Sequence, residues 1–176
     1  MELQHLIAKL FVTGDLKLDP AQVVNLMHVW VAKQSMPEML VDVAELLHVP
    51  KGPGVIAVGH EADYALDNSG GRWGVLYRRK STLPGTNAER VTQALRAADA
   101  AAKLIEAEFK GQITVSRTDF EIVCNDRALA PNTPETFAAA KADLEAGVKA
   151  FVGHGNAKLT VQGGDPRRRL AVSVKA

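Results

Sequence analysis

The sequence predicts an α+β fold, a mostly antiparallel sheet carrying three helices, and three observations predict it. Capping signals open helices at three places, apolar runs of strand character lie between them, and proline–glycine clusters punctuate those runs. The 176 residues suffice for one sizeable core, and a single domain spanning 1–176 is expected.

Residues 6–13 read as a strand. Asp19 as N-cap, Pro20 at the first helical position and Gln22 then announce a helix with Val23, Val24, Met27, Trp30 and Val31 at helical spacing, stopping near Met36-Pro37. Segments 40–49 and 55–66 read as strands split by Pro50-Lys51-Gly52-Pro53-Gly54. With a strand at 72–80 beyond Asp67-Asn68-Ser69-Gly70-Gly71, they make a three-stranded antiparallel meander.

Thr86 and Glu89 form a second capping box, opening a helix whose stripe is Val91, Leu95, Ala98, Ala102, Ile105 and Phe109, with Gly111 ending it. Short strands at 113–115 and 120–124 precede a third helix beginning at Thr133 and Pro134, with Phe137, Leu144, Val148 and Phe151 on its buried side. Closing strands at 159–162 and 170–175 flank a turn at Gly163-Gly164-Asp165-Pro166.

Residues 11–20 and 122–131 share a strand-to-helix pattern with four identities in ten, which suggests two duplicated βαββ units about a pseudo-twofold. Such an arrangement resembles several unrelated superfolds, the vicinal-oxygen-chelate enzymes among them. Their metal-ligand pattern is not identifiable here, so the resemblance implies no site residues.

Hydrophobic residues make up 47% of the chain and charged ones 23%, the usual globular mixture, and a net charge of +1 gives no overall field to gather nucleic acid or an acidic membrane. One cysteine, Cys124, excludes an intrachain disulfide framework and an all-thiolate zinc site, so a reducing, cytoplasmic location is expected. The start of the chain carries Glu2 and Lys9 without a small-residue cleavage site, and the most apolar long window, 21–32, is too short to span a bilayer; no signal peptide and no membrane association are expected.

Gly59-His60-Glu61-Ala62-Asp63-Tyr64 concentrates more reactive groups than any other stretch. Read as one strand, it puts His60 and Tyr64 on an apolar face, where His60 reads first as a core histidine, and Glu61 with Asp63 on the other face, where they could share Mg²⁺ or divide acid and base roles. Arg72 and Arg78 across the hairpin could hold an anionic small molecule against His60. Asn125 and Asp126, in a strand-to-helix connection, read as capping residues or ligand contacts. Candidate ligand-binding residues are therefore His60, Glu61, Asp63, Arg72, Arg78, Asn125 and Asp126. No metal site is expected and no cofactor is indicated.

Cys124 alternates with Phe120 and Ile122 as a buried thiol would. The runs Arg78-Arg79-Lys80 and Arg167-Arg168-Arg169 could contact phosphates if the fold brings them to one face, but no aromatic RNA-stacking motif accompanies them. The expected function is a soluble intracellular protein-interaction or self-associating domain without catalysis, with a protein partner or homo-oligomer. Two alternatives stay open: a small-molecule or divalent-metal-binding enzyme or sensor using the 60–79 hairpin, and nucleic-acid binding through the basic runs.

Overall fold

A computed structural model describes residues 1–163 and 165–176; Gly164, within the expected closing turn, lies outside the described residues. The described residues form eight strands and three α-helices: β1 (Leu6–Val12), α1 (Gln22–Lys33), β2 (Leu40–Leu46), β3 (Gly54–Gly59), β4 (Ala62–Asp67), β5 (Gly74–Arg79), α2 (Asn87–Glu108), β6 (Val115–Cys124), α3 (Pro134–Val152), β7 (Lys158–Val161) and β8 (Leu170–Lys175). All eight strands belong to one antiparallel sheet in the order β2-β3-β4-β5-β1-β6-β8-β7. The class is α+β.

The helix starts follow from local chemistry. Thr86 accepts the Glu89 N–H at 3.2 Å while the Glu89 carboxylate accepts the Thr86 N–H at 2.7 Å, a complete capping box for α2. Thr133 accepts the Thr136 N–H and Pro134 occupies the first turn of α3. Asp19 Oδ1 accepts the Ala21 N–H, and regular α1 begins one residue later. The helix stops at Lys33, a few residues before the expected stop near Met36-Pro37. Gln34 adopts a left-handed conformation there, and its side chain clamps the Leu40 N–H and C=O, steering the chain into β2.

Two strand assignments are corrected. Residues 55–66 are not one strand but the hairpin β3–β4, turning at His60-Glu61, so the meander has four strands rather than three. This turn lacks an Asn-Gly or Gly-Gly signal; tertiary bonds hold it, with the His60 N–H donated to the Met39 carbonyl and the Gly59 N–H to Asp63 Oδ1. The segments 113–115 and 120–124 belong to one region in which β6 runs unbroken from Val115, its pairing with β1 shifted by an irregularity between Leu10 and Val12.

The topology dictates which face is covered. In an antiparallel sheet, strands an even number of places apart run parallel, so each helix joins two parallel strands: β1–α1–β2, β5–α2–β6 and β6–α3–β7. The first crossover moves one way along the sheet and the other two move the opposite way, but they leave strands that run opposite to β1. Right-handed crossovers therefore put all three helices on one face. Burial agrees: Leu6, Ala8, Leu10, Tyr64, Leu66, Tyr77, Phe120 and Ile122 join α1, α2 and α3 in one core, whereas Ile7, Phe11, Ile56, Ala65 and Val123, of opposite parity, lie outside it. After α1 the chain returns through four strands, and after α3 through two. No helix among the described residues is long and apolar enough to cross a membrane.

Candidate functional site

The face opposite the helices is polar at its centre. A row of direct cross-strand neighbours, Ala65, Leu76, Lys9, Glu121, Ser173 and Thr160, crosses β4, β5, β1, β6, β8 and β7. Lys9 is the lone charge in an otherwise apolar strand, and it is 4% exposed. Its ammonium donates to Asp67 Oδ2 at 2.6 Å and to the Ser69 carbonyl at 3.1 Å. The lysine stem passes over Gly74, where a Cβ would lie 2.9 Å from both Lys9 Cγ and Cε. A glycine is needed there for close approach, not for backbone freedom. Ser69 completes the cradle by donating its hydroxyl to Asp67 Oδ1 at 2.7 Å.

Beside Lys9, Glu121 accepts from Gln162 Nε2 at 2.6 Å, and the same nitrogen donates to Ser173 Oγ. Burial holds the Glu121 carboxyl above the usual carboxylate range, with Lys9, Gln162 and Arg169 pulling against it. A groove of about 1000 Å³ opens over this floor, walled by Asn125, Arg127, Arg168 and Arg169. A recess of about 130 Å³ continues from it, sharing Ser69, Glu121, Val123 and Arg169 and adding Lys9, Asp67 and Arg78. One arginine from each basic run, Arg78 and Arg169, thus lines the same recess.

Each end of the face has excess positive charge. Asp63 accepts Arg78 Nε at 3.2 Å and Nη2 at 2.9 Å, and Lys80 Nζ lies 2.8 Å from its other oxygen. At the opposite end Asp119 accepts from Lys175 Nζ at 2.6 Å and from Arg72, whose guanidinium stacks 3.7 Å over the Phe11 ring. Burial alone would raise the Asp119 carboxyl, but its two cations hold it below the ordinary value. Two cations per carboxylate leave one charge over at each end.

Of the residues singled out in the sequence, Asp63, Arg78, Arg72 and Asn125 lie on or beside this face. Asn125 Oδ1 accepts Arg169 Nη1 at 3.0 Å at the groove wall. Asp126 turns away to cap the Ala128 and Leu129 N–H groups, 3.6 Å from His5. His60 is exposed at the hairpin turn rather than in the core, and Glu61 sits beside it with its carbonyl accepting from Lys80 and Ser81. Among the described residues no three His, Cys, Asp or Glu side chains are grouped as a metal would need, so Glu61 and Asp63 are not joined by a third such ligand. Cys124 is buried, which pushes its thiol up to about 12.

Lys9, Asp67, Glu121, Gln162 and Arg127 are not among the residues the sequence points to as a site; Asp67 stands out there only as part of a turn, and the one further signal is a lysine inside an apolar strand run. Arg79 points to the opposite face, 3.4 Å from a buried Glu38 that also accepts from the hydroxyls of Tyr64 (2.5 Å) and Tyr77 (2.9 Å). No protein-family model matches the chain, and a search of curated proteins found no match.

Proposed function

We propose that the chain binds a small anionic molecule in the groove on its open sheet face. The observation that carries this reading is the convergence of Arg78, on β5, and Arg169, at the entry to β8, on a recess floored by Lys9, Asp67 and Glu121. Arginine forks suit carboxylate or phosphate, while Glu121, Gln162 and Asn125 offer acceptors and donors to the rest of the ligand.

Two features support this reading over the others. The sheet edges are poor templates for strand addition: β2 carries an irregularity beside Leu40 and turns the Val43 N–H onto its own Asp42 carboxylate, and β7 is four residues long and starts with a lysine. For nucleic acid, the face offers no open stacking platform, since its one aromatic, Phe11, is 8% exposed beneath Arg72.

Thermal unfolding against phosphate, pyrophosphate, phosphorylated sugars, dicarboxylates and a short oligonucleotide tests the proposal. A small anion at about 100 times its Kd stabilises by about 2.7 kcal/mol, and the stabilisation disappears in Arg169→Gln. Stabilisation by the oligonucleotide alone, or by nothing in the panel, contradicts it.

A further inference from the structure

The helix face contains a second concavity, built from different residues. The segment α1 packs on β2 and β3, and α2 on β1, β5 and β6, so β4 lies between their footprints. Tyr64 of β4 and Pro37, beyond α1, lie at one side of a cleft of about 910 Å³ that Leu83 before α2, Ala97 and Ala100 along it, and Ala146 and Ala150 of α3 also line. The Tyr64 hydroxyl is already committed to Glu38, and the Tyr77 hydroxyl below it is shared between Glu38 and Gln93. That side is therefore polar but internally satisfied.

We infer that this cleft binds an amphipathic small molecule, an apolar chain or ring system ending in one anionic group. Charge complementarity sets the anion. Arg96 lines the cleft without an ion pair or hydrogen bond among the described residues. The one carboxylate among the described lining residues, Glu89, is occupied by the capping box at Thr86 and is held below its usual value by those bonds. The walls set the body. The alanine methyls stand on helices whose backbone groups are bonded along the helix, and in the loop before α2 the Leu83 N–H and carbonyl are taken by Gln4 and Arg90, so these walls offer an occupant no main-chain partners. An extended peptide would leave its own amides unpaired there, at a cost an apolar chain does not incur. A cavity of this size is within the range that takes a drug-sized ligand.

The test uses dodecanoate, dodecanol and the 176-residue chain. Isothermal titration is expected to give one saturable dodecanoate site, with dodecanol at least tenfold weaker. Arg96→Gln, a change at an exposed position, brings dodecanoate down to the dodecanol level, and Ala100→Leu, which fills the cleft from an exposed helical position, weakens both ligands at least tenfold. Neither change alters phosphate binding at the open face, which separates this site from the one proposed above. Equal affinity for dodecanol, many weak sites, or binding indifferent to both substitutions overturns the inference. Light scattering covers the remaining occupant: a dimer that Ala100→Leu dissociates would mean that a second copy fills the cleft, and this too overturns it.

Discussion

Lys9 Nζ and Asp67 Oδ2 are 2.6 Å apart, the lysine stem reaching its partner over Gly74, and both side chains are almost wholly buried. A buried pair of this kind is costly to break from one side, because the remaining charge loses its partner without regaining water. Lys9→Met and Asp67→Asn are each expected to destabilise by about 3–5 kcal/mol, whereas Lys9→Met with Asp67→Leu recovers most of the loss. Urea denaturation of the three variants measures the two losses and the recovery.

Gly74→Ala attacks the same pair without touching a charge. Its methyl would meet Lys9 Cγ and Cε at 2.9 Å and the Leu10 carbonyl at 2.7 Å, and the lysine stem cannot move aside without leaving Asp67. A loss of about 1–3 kcal/mol is expected. In a Lys9→Met background the shorter side chain can yield, so the loss shrinks.

Glu121 makes stability and binding depend on pH in a defined sense. Its folded-state pKa is raised, chiefly by burial, so the folded protein holds the proton more tightly than the unfolded chain. That stabilising contribution is fully present below the ordinary carboxylate value and is lost as pH rises through the raised one. Glu121→Gln is therefore expected to melt above wild type at neutral pH, with the gap closing in acid. Anion affinity should also rise in the variant, as the floor charge facing Lys9, Asp67 and Arg169 is removed. Melting curves and titrations at several pH values read both effects.

How far the sequence reveals this molecule depends on where the deciding interactions lie. The starts of α2 and α3 were legible because Thr86 with Glu89, and Thr133 with Pro134, each act within the first turn of their own helix. The β3–β4 turn was not, because His60 and Glu61 turn by virtue of Met39 and Asp63 rather than their own preference. The site was half legible. Asp63 and Arg78 are neighbours in a hairpin, but Lys9, Asp67 and Glu121 are brought together by pairing β1 with strands more than fifty residues away, and nothing local announces that register.

The Glu38 network gives a spectroscopic prediction, since the chain has two tyrosines and both donate to Glu38. Burial, foremost, pushes Tyr77 up to about 12, and burial with the Glu38 hydrogen bond carries Tyr64 well above the ordinary phenol value. Absorbance at the tyrosinate band should stay flat through about pH 10, where free tyrosine titrates, and rise only as the fold opens. Tyr64→Phe should cost about 1–3 kcal/mol by leaving Glu38 one donor short.

The most direct measurement is calorimetric titration of the best-stabilising anion into wild type, Arg78→Gln, Arg169→Gln and the double variant. If one ligand bridges the recess, each single change weakens binding roughly tenfold or more, and the double change costs less than the sum, because either loss already releases the bridge. Independent, additive effects, or full affinity in Arg169→Gln, would contradict a shared site on the open face.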